Sequence, residues 1–236
     1  MATEGSRRPS GAEAEAESDS HWVRWHEEYE KSDSPLTLRL QIVQGMVRAV
    51  VDGAAPGPIR IVSLCAGQGR DVIDAVEGHP RASDISALLV ELDPTLAAFA
   101  RDRAHAAGLG AQVRIVEGDA ALCHWYADDV PADLVLVCGV FGNISDADIT
   151  RTIGALPGFC RSGAEVIWTR HRRPPDATRF IRAAFAEAGF DELAFEAPDG
   201  YVLSVGRERL ATRGSGSAFD PAARLFDFVG DGFAPA

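Results

Sequence analysis

The residues with the clearest chemical potential are two glycines, Gly67 and Gly69, between a predicted strand over 59–64 and a predicted helix over 70–76. Glycines in such a turn let the backbone approach a ligand closely. Open α/β sheets bind ligands at the carboxyl ends of their strands, where this turn lies. A tight structural turn would explain one glycine, and a dinucleotide-binding turn would need a third where Val72 stands. The pattern therefore favours a ligand site and disfavours a nicotinamide dinucleotide.

Two acidic residues follow the next two predicted strands. Glu91 ends the second strand, and an ionised carboxylate there can accept hydrogen bonds from both hydroxyls of a ribose. The preference of helix N-termini for acids explains the neighbouring Asp93 better than it explains Glu91. Asp119 follows the third strand and can accept from an exocyclic amino group, although an aspartate in a Gly-Asp turn is common in any fold.

The elements that must position these residues alternate between strands and helices. The predicted strands cover 59–64, 87–90, 113–116, 133–138, 164–168, 190–195 and 201–205, and the predicted helices within this region cover 70–76, 94–107, 146–156 and 177–188. The last two strands are separated by so few residues that they can pair only antiparallel. This order predicts an α/β fold: a three-layer Rossmann-like sandwich with a mostly parallel seven-stranded sheet and an antiparallel last strand.

These features together resemble the class I S-adenosylmethionine-dependent methyltransferases over roughly residues 59–207. The resemblance rests on the glycine turn, the acids after the second and third strands, and the late strand pair. That family adds an antiparallel seventh strand, which dehydrogenase folds lack. The chain departs from the family pattern at Ser63, where many members have an acid, and at Cys65, where many have the first glycine.

The resemblance implies that S-adenosylmethionine is the cofactor and assigns residues to its parts. The glycines pack under the methionine part, Glu91 holds the ribose, and Asp119 with Ala120 faces the adenine. Gly139 and Val140 lie beside the methyl group. The positions implied to contact the cofactor are Ser63, Cys65, Ala66, Gly67, Gly69, Asp71, Glu91, Leu92, Asp119, Ala120, Cys138, Gly139, Val140, Tyr29 and Arg39.

The start of the chain and two later segments, 139–144 and 169–173, resemble one bacterial small-molecule-type branch of that family, whose substrates are unassigned. The candidate acceptor-binding residues are Trp25, Phe141, Asn143 and Arg170, and the candidate catalytic residues are His171 and His26. The alternative for the N-terminal aromatic residues is packing on one helical face. The alternative for the arginines around His171 is a solvated surface.

Methyl transfer requires little chemistry from the protein, because holding the nucleophile near the methyl group can supply about 7–11 kcal/mol of the barrier. A base is needed only when the nucleophile must lose a proton. The sequence therefore predicts O- or N-methylation of a small molecule, such as an intermediate of a natural product. The alternatives are an RNA methyltransferase that uses the Arg170–Arg173 cluster and a non-catalytic cofactor-binding protein.

Composition limits the remaining classes of function. The chain has 236 residues and a formal net charge of −12, so bulk affinity for nucleic acid or anionic membranes is not expected. No apolar run is long enough for a transmembrane helix, and no signal-peptide core is recognisable. The spacing of the four cysteines indicates reduced thiols of a cytoplasmic protein, with no metal site.

Four regions are predicted along the chain. Residues 1–19 form a disordered acidic tail, 20–58 an N-terminal helical cover, 59–207 the cofactor-binding domain, and 208–236 a C-terminal docking tail.

Overall fold

The computed structural model describes residues 34–211 and 218–229. Its helices are α1 (Pro35–Gly53), α2 (Arg70–Val76), α3 (Pro94–Ala106), α4 (Asp146–Phe159) and α5 (Thr178–Glu187). Its strands are β1 (Ile59–Leu64), β2 (Ile85–Glu91), β3 (Val113–Glu117), β4 (Ala132–Val137), β5 (Cys160–His171), β6 (Phe190–Glu196) and β7 (Leu203–Leu210). The predicted tail over 1–19 and the predicted site residues Trp25, His26 and Tyr29 lie outside the described residues.

The seven strands form one sheet in the order β3-β2-β1-β4-β5-β7-β6. All neighbours pair parallel except β7, which runs antiparallel to both β5 and β6. The predicted mostly parallel sheet with an antiparallel last strand is therefore confirmed. The strand order reverses between β1 and β4, and ligands of open α/β sheets bind in the crevice at such a switch point.

Helices cover both faces of the sheet, as the predicted three-layer sandwich requires. Residues of α1, α2 and α3, such as Val47, Ile73 and Ala100, share one buried cluster with one face of the sheet. Residues of α4 and α5, such as Ile153 and Phe185, share a second cluster with the other face. Because the strands are covered on both faces, they are apolar along most of their length.

The described part of the predicted N-terminal cover, α1, is a flanking helix of the sandwich. Its buried residues Val43, Val47 and Val51 pack in the cluster that also contains α2. The hydroxyl oxygen of Ser34 accepts a hydrogen bond from the Thr37 amide at 3.1 Å and caps the helix. Gln44 Nε2 donates to the Arg70 carbonyl oxygen at 3.0 Å, which joins α1 to the start of α2.

The predicted boundary at residue 207 falls inside β7, which continues to Leu210. Within 218–229, Leu225 and Phe226 are almost completely buried, so this part of the predicted docking tail packs on the sandwich. No helix in the two described ranges has the length and apolar character that crossing a membrane requires. Nor do the described His, Cys, Asp and Glu side chains form a group of three or more that could hold a metal ion.

Candidate functional site

The turn after β1 uses its two glycines for different purposes. Both have left-handed backbone conformations, with φ of +56° at Gly67 and +70° at Gly69. A Cβ at Gly69 would lie 2.7 Å from Ile73 Cδ1 and 2.9 Å from Leu89 Cδ2, so this glycine allows α2 to pack against the sheet. A Cβ at Gly67 would meet nothing within 4 Å, so this glycine faces open space.

Cys65 stands where many of the methyltransferases that the sequence resembles have a glycine. It has a φ of +49° and, among the described residues, no other non-glycine residue has a positive φ. The left-handed conformation that a glycine would adopt easily is therefore kept, at the energetic cost of placing a side chain there. Burial raises the pKa of the Cys65 thiol, and the carboxylates of Glu91 and Asp119 raise it further, so the thiol stays neutral.

Glu91 connects the glycine turn to the loop that follows β2. Its Oε2 accepts a hydrogen bond from the Gly67 amide at 2.7 Å, and its Oε1 accepts one from the Asp93 amide at 2.9 Å. The side chain is only 8% exposed, and burial raises the pKa of Glu91 while the two amides oppose that shift. Each carboxylate oxygen keeps a second lone pair for another donor. Leu92, the next residue, is 58% exposed beside it.

Asp93 acts as the helix cap that the sequence indicated. Its Oδ1 accepts hydrogen bonds from the Thr95 amide at 2.7 Å and the Leu96 amide at 3.1 Å at the start of α3. The two neighbouring acids therefore have separate roles, because Asp93 satisfies a helix N-terminus and Glu91 organises the switch-point crevice.

Asp119, in the turn after β3, is held at both carboxylate oxygens. Its Oδ1 accepts from the Ala121 amide at 3.0 Å, and its Oδ2 accepts from Arg224 Nη1 at 2.8 Å. The carbonyl oxygen of Ala120 accepts from the hydroxyl of Tyr126, which is fully buried. Sequence reasoning missed Arg224; the apolar residues after it indicated docking but not the partner.

The tip of β4 faces the glycine turn across the switch point. Gly139 has a φ of +76°, and a Cβ there would meet nothing within 4 Å. Its amide donates to Thr169 Oγ1 at 2.9 Å, and its carbonyl oxygen accepts from Asn143 Nδ2 at 2.8 Å. Val140 is fully buried and Cys138 nearly so, and burial is the main cause that raises the pKa of the Cys138 thiol.

A mostly buried ion pair lies beside this tip. Arg39 Nη2 is 3.7 Å from Asp71 Oδ1, which joins the first turns of α1 to the start of α2. Burial raises the pKa of Asp71, and the charge of Arg39 opposes that shift. Asp71 Oδ1 accepts no hydrogen bond from any described residue, although it is buried. Ser63, which lies in β1, is also buried.

The end of β5 carries three arginines around His171. Arg170 Nη1 donates to the Phe141 carbonyl oxygen at 2.9 Å, and Arg172 Nη2 donates to the Tyr201 carbonyl oxygen at 2.8 Å. The Nε of Arg170 is buried without a hydrogen-bond partner. Within the two described ranges, no carboxylate oxygen lies within 4.0 Å of a guanidinium nitrogen of Arg170, Arg172 or Arg173. Most other described arginines have a carboxylate oxygen within that distance.

Comparison with known proteins identifies the fold. No protein-family model matches the sequence, and no curated protein sequence matches it. Among solved structures, magnesium protoporphyrin IX methyltransferase from Synechocystis PCC 6803, solved with bound S-adenosylmethionine, has a TM-score of 0.63 at 13% identity. The match covers 88% of this chain and 99% of that one. The chain has the class I methyltransferase fold.

Two other structures show how widely this fold is used. A candidate O-methyltransferase from Nostoc punctiforme PCC 73102 has a TM-score of 0.56 at 15% identity, over 72% of this chain and 56% of that chain. This chain therefore spans little more than half of that relative. The [4+2]-cyclase SpnF has a TM-score of 0.53 at 13% identity, over 72% of this chain and 82% of its own. The class I fold alone therefore does not decide the reaction.

One acceptor-binding prediction needs correction. The Phe141 side chain is fully buried in the core of the class I fold, with ring centroids 6.1 Å from Trp168 and 6.3 Å from Phe185. It therefore contributes packing, and only its carbonyl oxygen reaches Arg170. Asn143 lies in the same loop but hydrogen-bonds Gly139, so it supports the β4 tip.

His171 is expected to titrate below its ordinary pKa. Burial lowers the pKa of His171 from 6.5, and the charges of Arg170 and Arg173 lower it further. Its Nδ1 accepts from the Arg173 amide at 3.3 Å, which leaves Nε2 as the ring nitrogen outside this hydrogen bond. We predict that NMR titration of the imidazole gives a pKa below 6.5 and that Arg170→Gln raises it. Arg101→Gln, at an exposed ion pair with Glu117, should leave it unchanged. An unshifted His171 pKa in Arg170→Gln would contradict the proposed proximity of the two charges.

Proposed function

We propose that this chain is an S-adenosylmethionine-dependent methyltransferase that acts on a small molecule. The observation that carries the proposal is Glu91, whose two oxygens accept from the Gly67 and Asp93 amides beneath the open side of the glycine turn. This arrangement presents a carboxylate and a bare backbone at the switch point, which suits a ribose and its attached sulfonium group.

The residues around the crevice fit the parts of this cofactor. The glycines on either side, Gly67 and Gly139, leave open the space that a Cβ would fill. The buried Asp71 oxygen that lacks a hydrogen bond can accept from an ammonium group, and Arg39 beside it can bind a carboxylate. We assign these two side chains to the methionine end of the cofactor.

The ribose and adenine have separate candidate ligands. The free lone pairs of Glu91 can accept from the ribose hydroxyls. Asp119 can accept from the adenine amino group, and the exposed Leu92 can pack on the ring. Along the carboxyl edge of the sheet, the described side chains therefore suit three parts of the cofactor in order: the charged amino-acid end of the methionine, the ribose diol and the adenine amino group.

The protein's main catalytic contribution is then positioning. S-adenosylmethionine supplies a methyl group on a positively charged sulfur, which a nucleophile attacks in line. Fixing the acceptor in that geometry is worth about 7–11 kcal/mol. His171 is our candidate for taking a proton from an acceptor hydroxyl or amine, because its lowered pKa keeps it neutral at pH 7.

Arg170 indicates the chemistry of the acceptor. Its guanidinium is half-buried at the end of β5, bonds one carbonyl oxygen and has no carboxylate partner among the described side chains. We therefore propose an acceptor that carries an anionic or carbonyl oxygen. An RNA acceptor is less well supported, since Arg170 and Arg172 bond carbonyls of their own chain and phosphate binding needs several free cations.

The proposed function is tested first by calorimetry and then by turnover. We expect saturable binding of S-adenosylhomocysteine, followed by transfer of labelled methyl from S-adenosylmethionine to members of a panel that pairs carboxylic acids with their amides. The acids should be preferred, and Arg170→Gln should remove the preference. Absence of S-adenosylhomocysteine binding would reject the proposal. Binding without transfer to any acceptor would favour the non-catalytic alternative.

A matched pair of glycine variants tests the open side of the turn. Gly67 and Gly78 have similar φ values of +56° and +67°, and a Cβ at either would meet nothing within 4 Å. Alanine should therefore cost each about 1–2 kcal/mol of stability for the left-handed conformation. Only Gly67→Ala should also weaken S-adenosylhomocysteine binding, by roughly tenfold, because its Cβ occupies ligand space. Calorimetry and thermal unfolding separate the two effects, and equal affinity in both variants would place the ligand elsewhere.

A further inference from the structure

Residues 218–229, which we call the C-terminal strap, bond at one end to the turn that carries Asp119. Leu122 and Arg224 form an isolated antiparallel bridge. The Cys123 amide donates to the Ala223 carbonyl oxygen at 3.1 Å, and the Leu225 amide donates to the Ala121 carbonyl oxygen at 2.8 Å. The strap is therefore paired with the backbone immediately after Asp119.

The other end of the strap bonds to the loop after β4. Ile144 and Phe228 form a second antiparallel bridge, and the Val229 amide donates to the Asn143 carbonyl oxygen at 2.9 Å. Asn143 in turn donates through its side chain to the carbonyl oxygen of Gly139. The same short segment therefore supports both the loop after β3 and the loop after β4. These two loops lie on either side of β2 and β1 in the sheet order, and the loop after β4 lies at the switch point.

The centre of the strap is anchored in the core. Leu225 and Phe226 are almost completely buried, and removing their apolar surface from water stabilises the docked strap. The Leu225 carbonyl oxygen accepts from Arg151 Nε at 2.9 Å and from Thr152 Oγ1 at 3.2 Å on α4. The docked position is therefore specified by both packing and hydrogen bonds.

Arg224 connects this anchored segment to a candidate cofactor ligand. Its Nη1 donates to Asp119 Oδ2 at 2.8 Å, and its Nε donates to Asp227 Oδ1 at 2.6 Å within the strap. Because the Ala121 amide holds the other oxygen of Asp119, the carboxylate is fixed in one orientation. The hydrogen bond between the Arg224 guanidinium and the Asp119 carboxylate is charge-assisted, so it holds this orientation more strongly than a neutral hydrogen bond would.

We propose that the C-terminal strap is a positioning element of the cofactor site, with Arg224 orienting Asp119 toward the adenine amino group and Val229 holding the loop at Gly139. This proposal rests on the proposed function, because it assumes that an adenine lies at Asp119. The strap and the cofactor then favour each other's bound positions by the same factor, since coupling between two binding equilibria is reciprocal.

The first test is Arg224→Gln. S-adenosylhomocysteine should bind about tenfold more weakly, as expected for loss of one charge-assisted interaction that orients a ligand. The preference for S-adenosylhomocysteine over S-inosylhomocysteine, which has an oxygen in place of the amino group, should also fall. Arg182→Gln is the matched control, because Arg182 has similar exposure and pairs with Glu192 at the opposite edge of the sheet. It should change neither the affinity nor the preference.

The second test uses the unaltered protein and hydrogen exchange. Saturating S-adenosylhomocysteine should slow exchange of the Leu225 and Val229 amides, both of which donate to the loops, by more than it slows the amides of β6 at the far edge. The β6 amides report any global stabilisation by the ligand.

The outcomes separate this proposal from the proposed function. If the unaltered chain does not bind S-adenosylhomocysteine, the proposed function itself fails. If it binds, but Arg224→Gln binds equally or more tightly with the same purine preference, the strap does not position the cofactor. Strap amides that respond no more than those of β6 would lead to the same conclusion.

Discussion

Glu91→Ala is expected to weaken S-adenosylhomocysteine binding by at least about a hundredfold, because the two charge-assisted hydrogen bonds that we propose between Glu91 and the ribose would be worth about 1.5–3 kcal/mol each. The variant also removes the acceptor of the Gly67 and Asp93 amides, so the glycine turn loses its link to the loop after β2. Both consequences act on the same crevice. Isothermal titration measures the affinity directly.

The ribose contribution can be separated from the organisation of the turn by changing the ligand. The 2′,3′-dideoxy analogue of S-adenosylhomocysteine lacks both hydroxyls, so Glu91→Ala should weaken its binding far less. Asp93→Asn is the control variant, because asparagine caps a helix about as well as aspartate and should retain cap bonds to Thr95 and Leu96. If both ligands lost affinity equally in Glu91→Ala, Glu91 would organise the turn without holding the ribose.

The fold was predictable because its signals are local. The alternation of buried strands with helices and the short link before β7 determine which strands can pair parallel. The left-handed glycines, Gly67 and Gly69, marked the turn at the switch point. The limits of β5 were less predictable, since that strand begins at Cys160 directly after α4 and includes polar residues before the apolar run.

The candidate site was predictable where a residue type alone implies a chemistry, and not where a long-range contact decides its role. Glu91 follows a strand, which is visible in the sequence. Arg224 lies 105 residues from Asp119, and no periodicity connects them. Phe141 shows the converse, because a loop has no repeating pattern to indicate that its side chain turns inward toward Trp168 and Phe185.

The second large expected effect is on the stability of the fold, and it comes from a buried glutamate remote from the crevice. Glu208, in β7, is 1% exposed, and its Oε1 accepts from Trp168 Nε1 at 3.1 Å. Burial raises the pKa of Glu208 from 4.5 to about 7; the Trp168 hydrogen bond opposes that shift, and the charge of Glu192 adds to it. A raised carboxyl pKa means that the folded state favours the protonated form. The stabilising contribution of Glu208 is therefore complete below pH 4.5 and is lost as the pH rises through about 7.

Glu208→Gln should therefore stabilise the protein at pH 8 by about 3 kcal/mol, the free energy that corresponds to this shift. An amide stays neutral at every pH, and its oxygen can still accept from Trp168. The gain should shrink toward zero as the pH falls to 4.5, which urea unfolding across that range would show. Glu165→Gln is the contrasting control: this glutamate on β5 is also buried but forms ion pairs with Arg207 and Arg209, so its neutralisation should destabilise the fold at pH 8. If Glu208→Gln were no more stable than the unaltered chain at pH 8, the Glu208 carboxylate would be stabilised in the core by contacts stronger than its one hydrogen bond from Trp168.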